Sequence, residues 1–102
     1  MTYEVIFTDE VDRDLEAITD VRTRSAVIRK ALDLDAEPDK QGKTLGGNLS
    51  AYRVVRAAGQ RYRVVYQVAT LEGVVTVVVV GIRKEGDKKD VYRVAGKRLG
   101  RE

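Results

Sequence analysis

The apolar positions change their period near residue 50, and that change divides the predicted elements into two groups. Tyr3 to Phe7 reads as a short strand, with Val5 and Phe7 on the same side as Tyr3. Val11, Leu15 and Ile18 then recur at helical spacing, so this helix buries one face. Thr8 or Asp9 can cap it, and the acidic Asp9, Glu10 and Asp12 suit its positive N-terminal end. Thr19 and Asp20 break the pattern and can cap again. A second helix is predicted from about Val21 to Leu34, with Val21, Ile28, Ala31 and Leu32 on or near one stripe. It ends before Pro38, because the residue preceding a proline is pushed out of helical geometry. The two helices form an antiparallel hairpin with a very short turn.

Gln41 to Ser50 is rich in glycine and polar residues and is expected to be a loop. Beyond it, Ala51 to Ala57, Arg61 to Ala69 and Val74 to Ile82 are β-rich, separated by Gly59-Gln60 and Glu72-Gly73. Those are hairpin spacings, so the three strands should form an antiparallel meander. Val74 to Val80 is almost wholly apolar, which marks a strand buried on both faces. The charged stretch Arg83 to Asp90 reads as a loop. Val91, Val94, Ala95 and Leu99 suggest a short terminal helix, expected to be mobile because its apolar anchors are few. The expectation is α+β: a small twisted antiparallel sheet of about four strands, an N-terminal helix hairpin on one face and a short C-terminal helix. All of residues 1–102 fit one domain, with no linker, repeat or low-complexity segment.

Composition narrows the chemistry. The chain lacks cysteine, which removes disulfides and thiol nucleophiles, and it lacks histidine, the commonest acid–base group and metal ligand. Acid–base work falls to Tyr, Lys, Arg, Asp or Glu. No metal site and no cofactor are expected. No apolar run is long enough to cross a bilayer, and Thr2, Tyr3 and Glu4 do not open a signal pattern, so a cytoplasmic protein is expected. Residues 1–51 hold 7 Lys+Arg and 11 Asp+Glu, a net of −4, whereas residues 52–102 hold 12 and 5, a net of +7. Such asymmetry suits nucleic acid or an acidic partner.

The basic residues of the second half are spaced suggestively. Side chains alternate along a strand, so Arg61 and Arg63 share one face. Arg53 shares a face with Val55, while Arg56 points to the opposite one. Arg83 leaves the end of the apolar strand, and Tyr92 follows the charged loop. If Arg53, Arg63, Arg83 and Tyr92 converge, they form a basic concave surface with one phenol. Arginine meets phosphate with a planar fork of donors, and tyrosine can stack on a base or move a proton. RNA carries its own nucleophile, the ribose 2′-OH, so alignment and charge neutralisation suffice.

Ala51-Tyr52-Arg53-Val54-Val55 followed by Tyr62-Arg63-Val64-Val65-Tyr66-Gln67-Val68 resembles the central strands of RelE-type toxins. Val80-Gly81-Ile82-Arg83 with Asp90-Val91-Tyr92 resembles their C-terminal signature. Lys43-Thr44-Leu45-Gly46-Gly47-Asn48-Leu49 and Tyr3-Glu4-Val5-Ile6-Phe7 resemble the family's loop before the sheet and its opening strand. The resemblance to the RelE/ParE superfamily covers nearly the whole chain and implies the RelE-like fold.

It also implies a toxin that enters the ribosomal A site and cuts the codon there by 2′-OH attack, leaving a cyclic phosphate, with a cognate antitoxin as partner. By resemblance Arg63 stabilises the reacting phosphate, Arg83 is a phosphate ligand or general acid, and Tyr92 stacks or transfers a proton. Arg53, Arg56, Arg61, Lys84, Lys88 and Lys89 are candidates for RNA or phosphate contact. Operator DNA is expected only through the antitoxin complex, and no membrane contact is expected. Two departures stand out. Val55 replaces a second basic residue of the RelE branch, and eight residues separate Arg83 from Tyr92, a longer spacer with Gly86-Asp87-Lys88-Lys89 inserted. The alternative is a ParE-like inhibitor of DNA gyrase without nuclease activity. A third reading is a non-toxic member that only binds antitoxin or operator.

Overall fold

The computed structural model describes residues 2–100. Its elements run β1 (Glu4–Phe7), α1 (Asp9–Glu16), α2 (Val21–Leu32), β2 (Lys43–Thr44), β3 (Arg53–Ala57), β4 (Tyr62–Ala69), β5 (Val74–Ile82) and α3 (Val91–Leu99), with short 3-10 turns at Asp33–Asp35, Pro38–Lys40 and Gly47–Leu49. The class is α+β as expected, but the sheet has five strands in the order β1-β5-β4-β3-β2. It is mixed rather than antiparallel, because β1 runs parallel to β5 with Glu4 opposite Val74. The fifth strand is β2, two residues of the expected loop that pair with Arg53 and Val54. The meander itself is as expected, with β3–β4 and β4–β5 antiparallel.

Each helix starts where a side chain can replace a missing backbone partner. The Thr8 hydroxyl accepts from the Val11 N–H at 3.1 Å, and the Asp20 carboxylate from the Thr23 N–H at 3.0 Å. Along α1 the expected stripe holds, with Val11, Leu15 and the following Ile18 buried. Along α2 it does not: Val27 and Ala31 are buried, while Val21 and Leu32 stand exposed. The helix ends at Leu32, and a 3-10 turn then carries Leu34 into the core.

Two cores sandwich the sheet. On one face α1 and α2 cover Val55, Ala57, Val64, Tyr66, Val75, Val77 and Val80. On the other, α3 covers Val54, Val65, Val78 and Val79 with Val91 and Ala95. A register shift between Val65 and Tyr66 inserts one residue into β5, so Val78 and Val79 both face α3. This double coverage explains the almost wholly apolar run of β5, which only Thr76 interrupts. It also corrects the premise that α3 has few anchors, since Val91 and Ala95 are fully buried.

Tyr66 shows how the core supports the site. Its hydroxyl lies 2.8 Å from each of the Pro38 and Gln41 carbonyl oxygens, which share its one proton, and so fixes the turn that leads into β2. Burial pushes its phenol up, partly offset by the neighbouring Arg53 guanidinium. Tyr66→Phe is expected to cost about 1–2 kcal/mol in a urea melt, because the buried Pro38 carbonyl loses its donor.

Candidate nucleic-acid interface

The end of the β3–β4 hairpin gathers the basic residues. Arg56 and Arg63 are direct cross-strand partners, so their side chains leave the same face, the one that carries α3. Lys43 pairs with Val54 and so stands on that face too. A cleft of about 620 Å³ opens here, lined by Lys43, Arg56, Arg63 and Tyr92 together with Lys30 of α2 and the segment Gly42 to Gly46. Four cations around an open cleft concentrate positive potential beside one phenol, a chemistry that suits an anionic ligand.

Gln60 organises the two arginines. Its backbone is left-handed, with φ of 72°, which turns its carbonyl back toward the strand. That carbonyl accepts from Arg63 Nη1, and the Gln60 side-chain oxygen accepts from Arg56 Nη1 at 3.2 Å. The hairpin loop is therefore wider than the two residues expected, with Ala58, Gly59 and Gln60 all at positive φ.

Arg83 leaves the end of β5 and stacks on Tyr92, with its guanidinium carbon 4.9 Å from the ring centroid. Arg83 Nη1 donates to Asp90 Oδ1 at 2.6 Å, which keeps the guanidinium firmly charged. Asp90 is 3% exposed and caps α3, accepting from the Tyr92 N–H at 3.1 Å and from the Lys84 N–H. Burial pushes the Asp90 carboxyl up, but these donors outweigh it and hold it below the usual carboxylate range. A depressed carboxyl contributes stability above its unfolded pKa of about 3.9 and loses it as pH falls through the lower folded value. Asp90→Asn should therefore flatten the fall of melting temperature between about pH 5 and pH 2 in a series of thermal melts.

Gly81 of β5 lets α3 come close enough to bring Tyr92 over the sheet. A side chain there would meet Val91 Cβ at 3.3 Å, and Gly81 is the residue opposite Arg63. Gly42 serves the other wall. Its φ is +61°, and an added Cβ would overlap the Val54 carbonyl oxygen and lie 2.8 Å from Val55 Cγ1. Gly42→Ala is expected to cost about 2–4 kcal/mol in a denaturant melt, from backbone strain plus overlap.

Of the residues singled out from sequence, Arg63, Arg56 and Tyr92 meet in the cleft and Arg83 adjoins it through the tyrosine ring. Arg53 does not join them. It pairs with Tyr66 and faces the helix hairpin, where its guanidinium donates to the carbonyls of Gln41 at 2.9 Å and Gly42 at 3.3 Å. It braces the cleft wall from behind. Arg61 lies beside the α1–α2 turn, next to Ile18 and Asp20. Lys84, Lys88 and Lys89 are exposed on the loop before α3, outside the cleft lining, and Lys84 reaches Asp87 at 3.6 Å. The sequence reading missed Lys30, Lys43 and Gln60. The residue pattern gave a weak signal only for Lys43, which precedes the loop glycines. Among the described residues no group of acidic side chains could hold a metal ion, and no helix is long and apolar enough to cross a membrane.

Residues 5–87 match the family model described as the ParE toxin of the type II toxin–antitoxin system parDE. The fold matches the toxin–antitoxin complex RelBE2 from Mycobacterium tuberculosis with a TM-score of 0.73 and 32% identity, covering 81% of this chain and 93% of that one. A free double arginine mutant of Escherichia coli RelE matches with a TM-score of 0.73 and 24% identity, covering 97% of this chain and 99% of that one. The archaeal RelE–RelB complex from Pyrococcus horikoshii matches with a TM-score of 0.60 and 21% identity, covering 84% of this chain and 100% of that one. The last two likenesses establish the fold alone. No curated protein gives a significant sequence match. The family model spans most of the chain and the mycobacterial relative is similar over nearly its full length, so this protein belongs to the RelE/ParE superfamily of toxins of type II toxin–antitoxin systems.

Proposed function

We propose that this toxin is a ribosome-dependent mRNA endoribonuclease that cuts the A-site codon. The observation that supports this most is the shared cleft of Arg63, Arg56, Lys43 and Tyr92, with Arg83 stacked behind the tyrosine ring. In the proposed reaction the ribose 2′-OH attacks the adjacent phosphorus, the bond to the 5′-oxygen of the next nucleotide breaks, and a 2′,3′-cyclic phosphate remains. Arg63 and Arg83 neutralise the charge that builds on the phosphoryl oxygens. Tyr92 stacks on the base or moves a proton, and no histidine, metal or cofactor is needed. Lys43 supplies charge on the face where Val55 leaves none, since Val55 packs into the helix-side core. The ribosome supplies the extended mRNA strand, and the reaction occurs in the cytoplasm.

A cognate antitoxin is part of the proposal. The mycobacterial and archaeal relatives are complexes with antitoxins. An acidic segment that covers the basic cleft would silence the toxin, and operator DNA would be reached only through that complex. The test uses an mRNA whose A-site codon carries one 2′-deoxyribose at the scissile position. The all-ribose message should be cut, with a cyclic phosphate end, and the deoxy message should stay intact. Cleavage of the deoxy message would overturn the mechanism. The ParE description of the matched family supports a second reading, inhibition of DNA gyrase without RNA cleavage. Loss of gyrase supercoiling with intact mRNA would favour it.

A further inference from the structure

We propose that Asp90 is the positioning residue of the site: one buried carboxylate aims the Arg83 guanidinium and fixes Tyr92 beneath it. The inference rests on the nuclease reading of the cleft and adds a residue to it that touches no RNA.

The three helix caps of the protein differ in a telling way. Asp20 is exposed, Thr8 is half-buried, and among the described residues neither takes a hydrogen bond from a basic side chain; each holds the backbone N–H three residues on. Asp90 is buried to 3% exposure and divides its two oxygens between two tasks. Oδ2 accepts from the Tyr92 N–H at 3.1 Å and so starts α3 at the tyrosine. Oδ1 accepts from Arg83 Nη1 at 2.6 Å and from the Lys84 N–H. A cap alone needs neither burial nor a guanidinium partner, and burying a charge is costly unless it is paired.

The arrangement removes the freedom that would otherwise blur the site. The Arg83 backbone is held by the sheet, where its N–H donates to the Arg61 carbonyl at 2.8 Å. Its long side chain is flexible, and the nearby Glu85 carboxylate is only a distant, exposed partner at 4.0 Å. Asp90 therefore fixes the guanidinium, and the same contact sets it 4.9 Å over the Tyr92 ring. Asp90 occupies Nη1, while Nε and Nη2 make no hydrogen bond to the described residues. That pair of parallel donors is the edge with which arginine grips a phosphate. The eight-residue spacer between Arg83 and Tyr92 is thus closed by one carboxylate that ties both of its ends together.

The test is a double-mutant cycle of Asp90→Asn with Arg83→Ala, because asparagine caps helices well and nearly keeps the shape of aspartate. Cleavage of a programmed ribosome is followed at saturating toxin, thermal melting monitors the fold, and Asp90→Glu tests rescue. Asp90→Asn should slow the first-order cleavage step by about 100-fold, as expected when a charge-stabilising group is misplaced, with little change in half-saturating toxin concentration. In the Arg83→Ala background the same change should slow cleavage by less than about threefold, because the aimed group is already gone. Partial rescue by glutamate is expected. Wild-type cleavage by Asp90→Asn, or the same slowing in both backgrounds, would overturn the proposal. An arm independent of catalysis is the NMR signal of the Arg83 Nε–H. It should be sharp and slow to exchange in the wild type, and broadened or averaged in Asp90→Asn. An unchanged Arg83 signal would overturn the positioning role. If wild-type protein cuts no RNA, the nuclease reading falls and this arm alone decides whether Asp90 aims Arg83.

Discussion

Arg63→Ala is expected to slow mRNA cleavage by about 10²–10³-fold, the usual cost of removing one preorganised donor to a developing negative charge. Arg63 lines the cleft, opposite the side-chain-free Gly81 and beside Arg56. Its guanidinium is already oriented by the Gln60 and Tyr62 carbonyls, so little reorganisation is needed when phosphate arrives. The fold should survive, because Arg63 is half-exposed and lies outside both cores. Arg83→Ala should slow cleavage similarly but should also lower the melting temperature, since it leaves the buried Asp90 carboxylate without its cation. Single-turnover cleavage paired with melting curves separates the two effects. Normal cleavage by a folded Arg63→Ala variant would remove the main support for the cleft.

Asp14→Ala is expected to lose about 2–4 kcal/mol in a denaturant melt. The reason lies at the edge of the sheet. β1 covers β5 only from Val74 to Val77, so the backbone groups beyond are left bare on that side. Asp14 of α1 accepts from the Val80 N–H at 3.0 Å, and Arg98 of α3 donates to the Val78 carbonyl at 3.1 Å. The two side chains also bind each other through two hydrogen bonds, at 2.9 and 3.1 Å. One pair thus caps the open edge and clips together helices on opposite faces of the sheet. Without Asp14, the Val80 N–H loses its partner and the half-buried Arg98 loses its counter-ion. α3 should then open more readily, and hydrogen exchange of Val94 and Ala95 should speed up. Unchanged stability would show that solvent replaces these contacts at no cost.

Local patterns made most elements legible. The meander could be read because the turns at Gly59 and Gly73 join neighbouring strands, and β5 betrayed its two-sided burial by a run that is apolar but for Thr76. The parallel pairing of β1 could not be read, because Glu4 finds its partner in Val74, far along the chain. β2 is too short to carry a period. The stripe of α2 slipped because Val21 and Leu32 are apolar yet exposed, which composition cannot reveal.

Alternation places Arg53 with Val55 and Arg56 on the opposite face, as the structure has it, but alternation within β3 does not say which of those faces Arg63 of β4 shares. Cross-strand pairing resolves it: Arg56 faces Arg63, and Arg53 faces Tyr66. Arg63 and Tyr92 line one cleft and Arg83 adjoins it through the tyrosine ring, whereas Lys30 reaches that cleft only by tertiary packing and Gln60 meets the arginines through the local geometry of the hairpin loop.

The most direct test of the central claim is primer extension on an mRNA under translation in a purified system, with the same mRNA free of ribosomes as control. The account predicts cuts that appear only with ribosomes, fall within A-site codons and vanish with Arg63→Ala. Intact mRNA and unimpaired translation at high toxin concentration would contradict it.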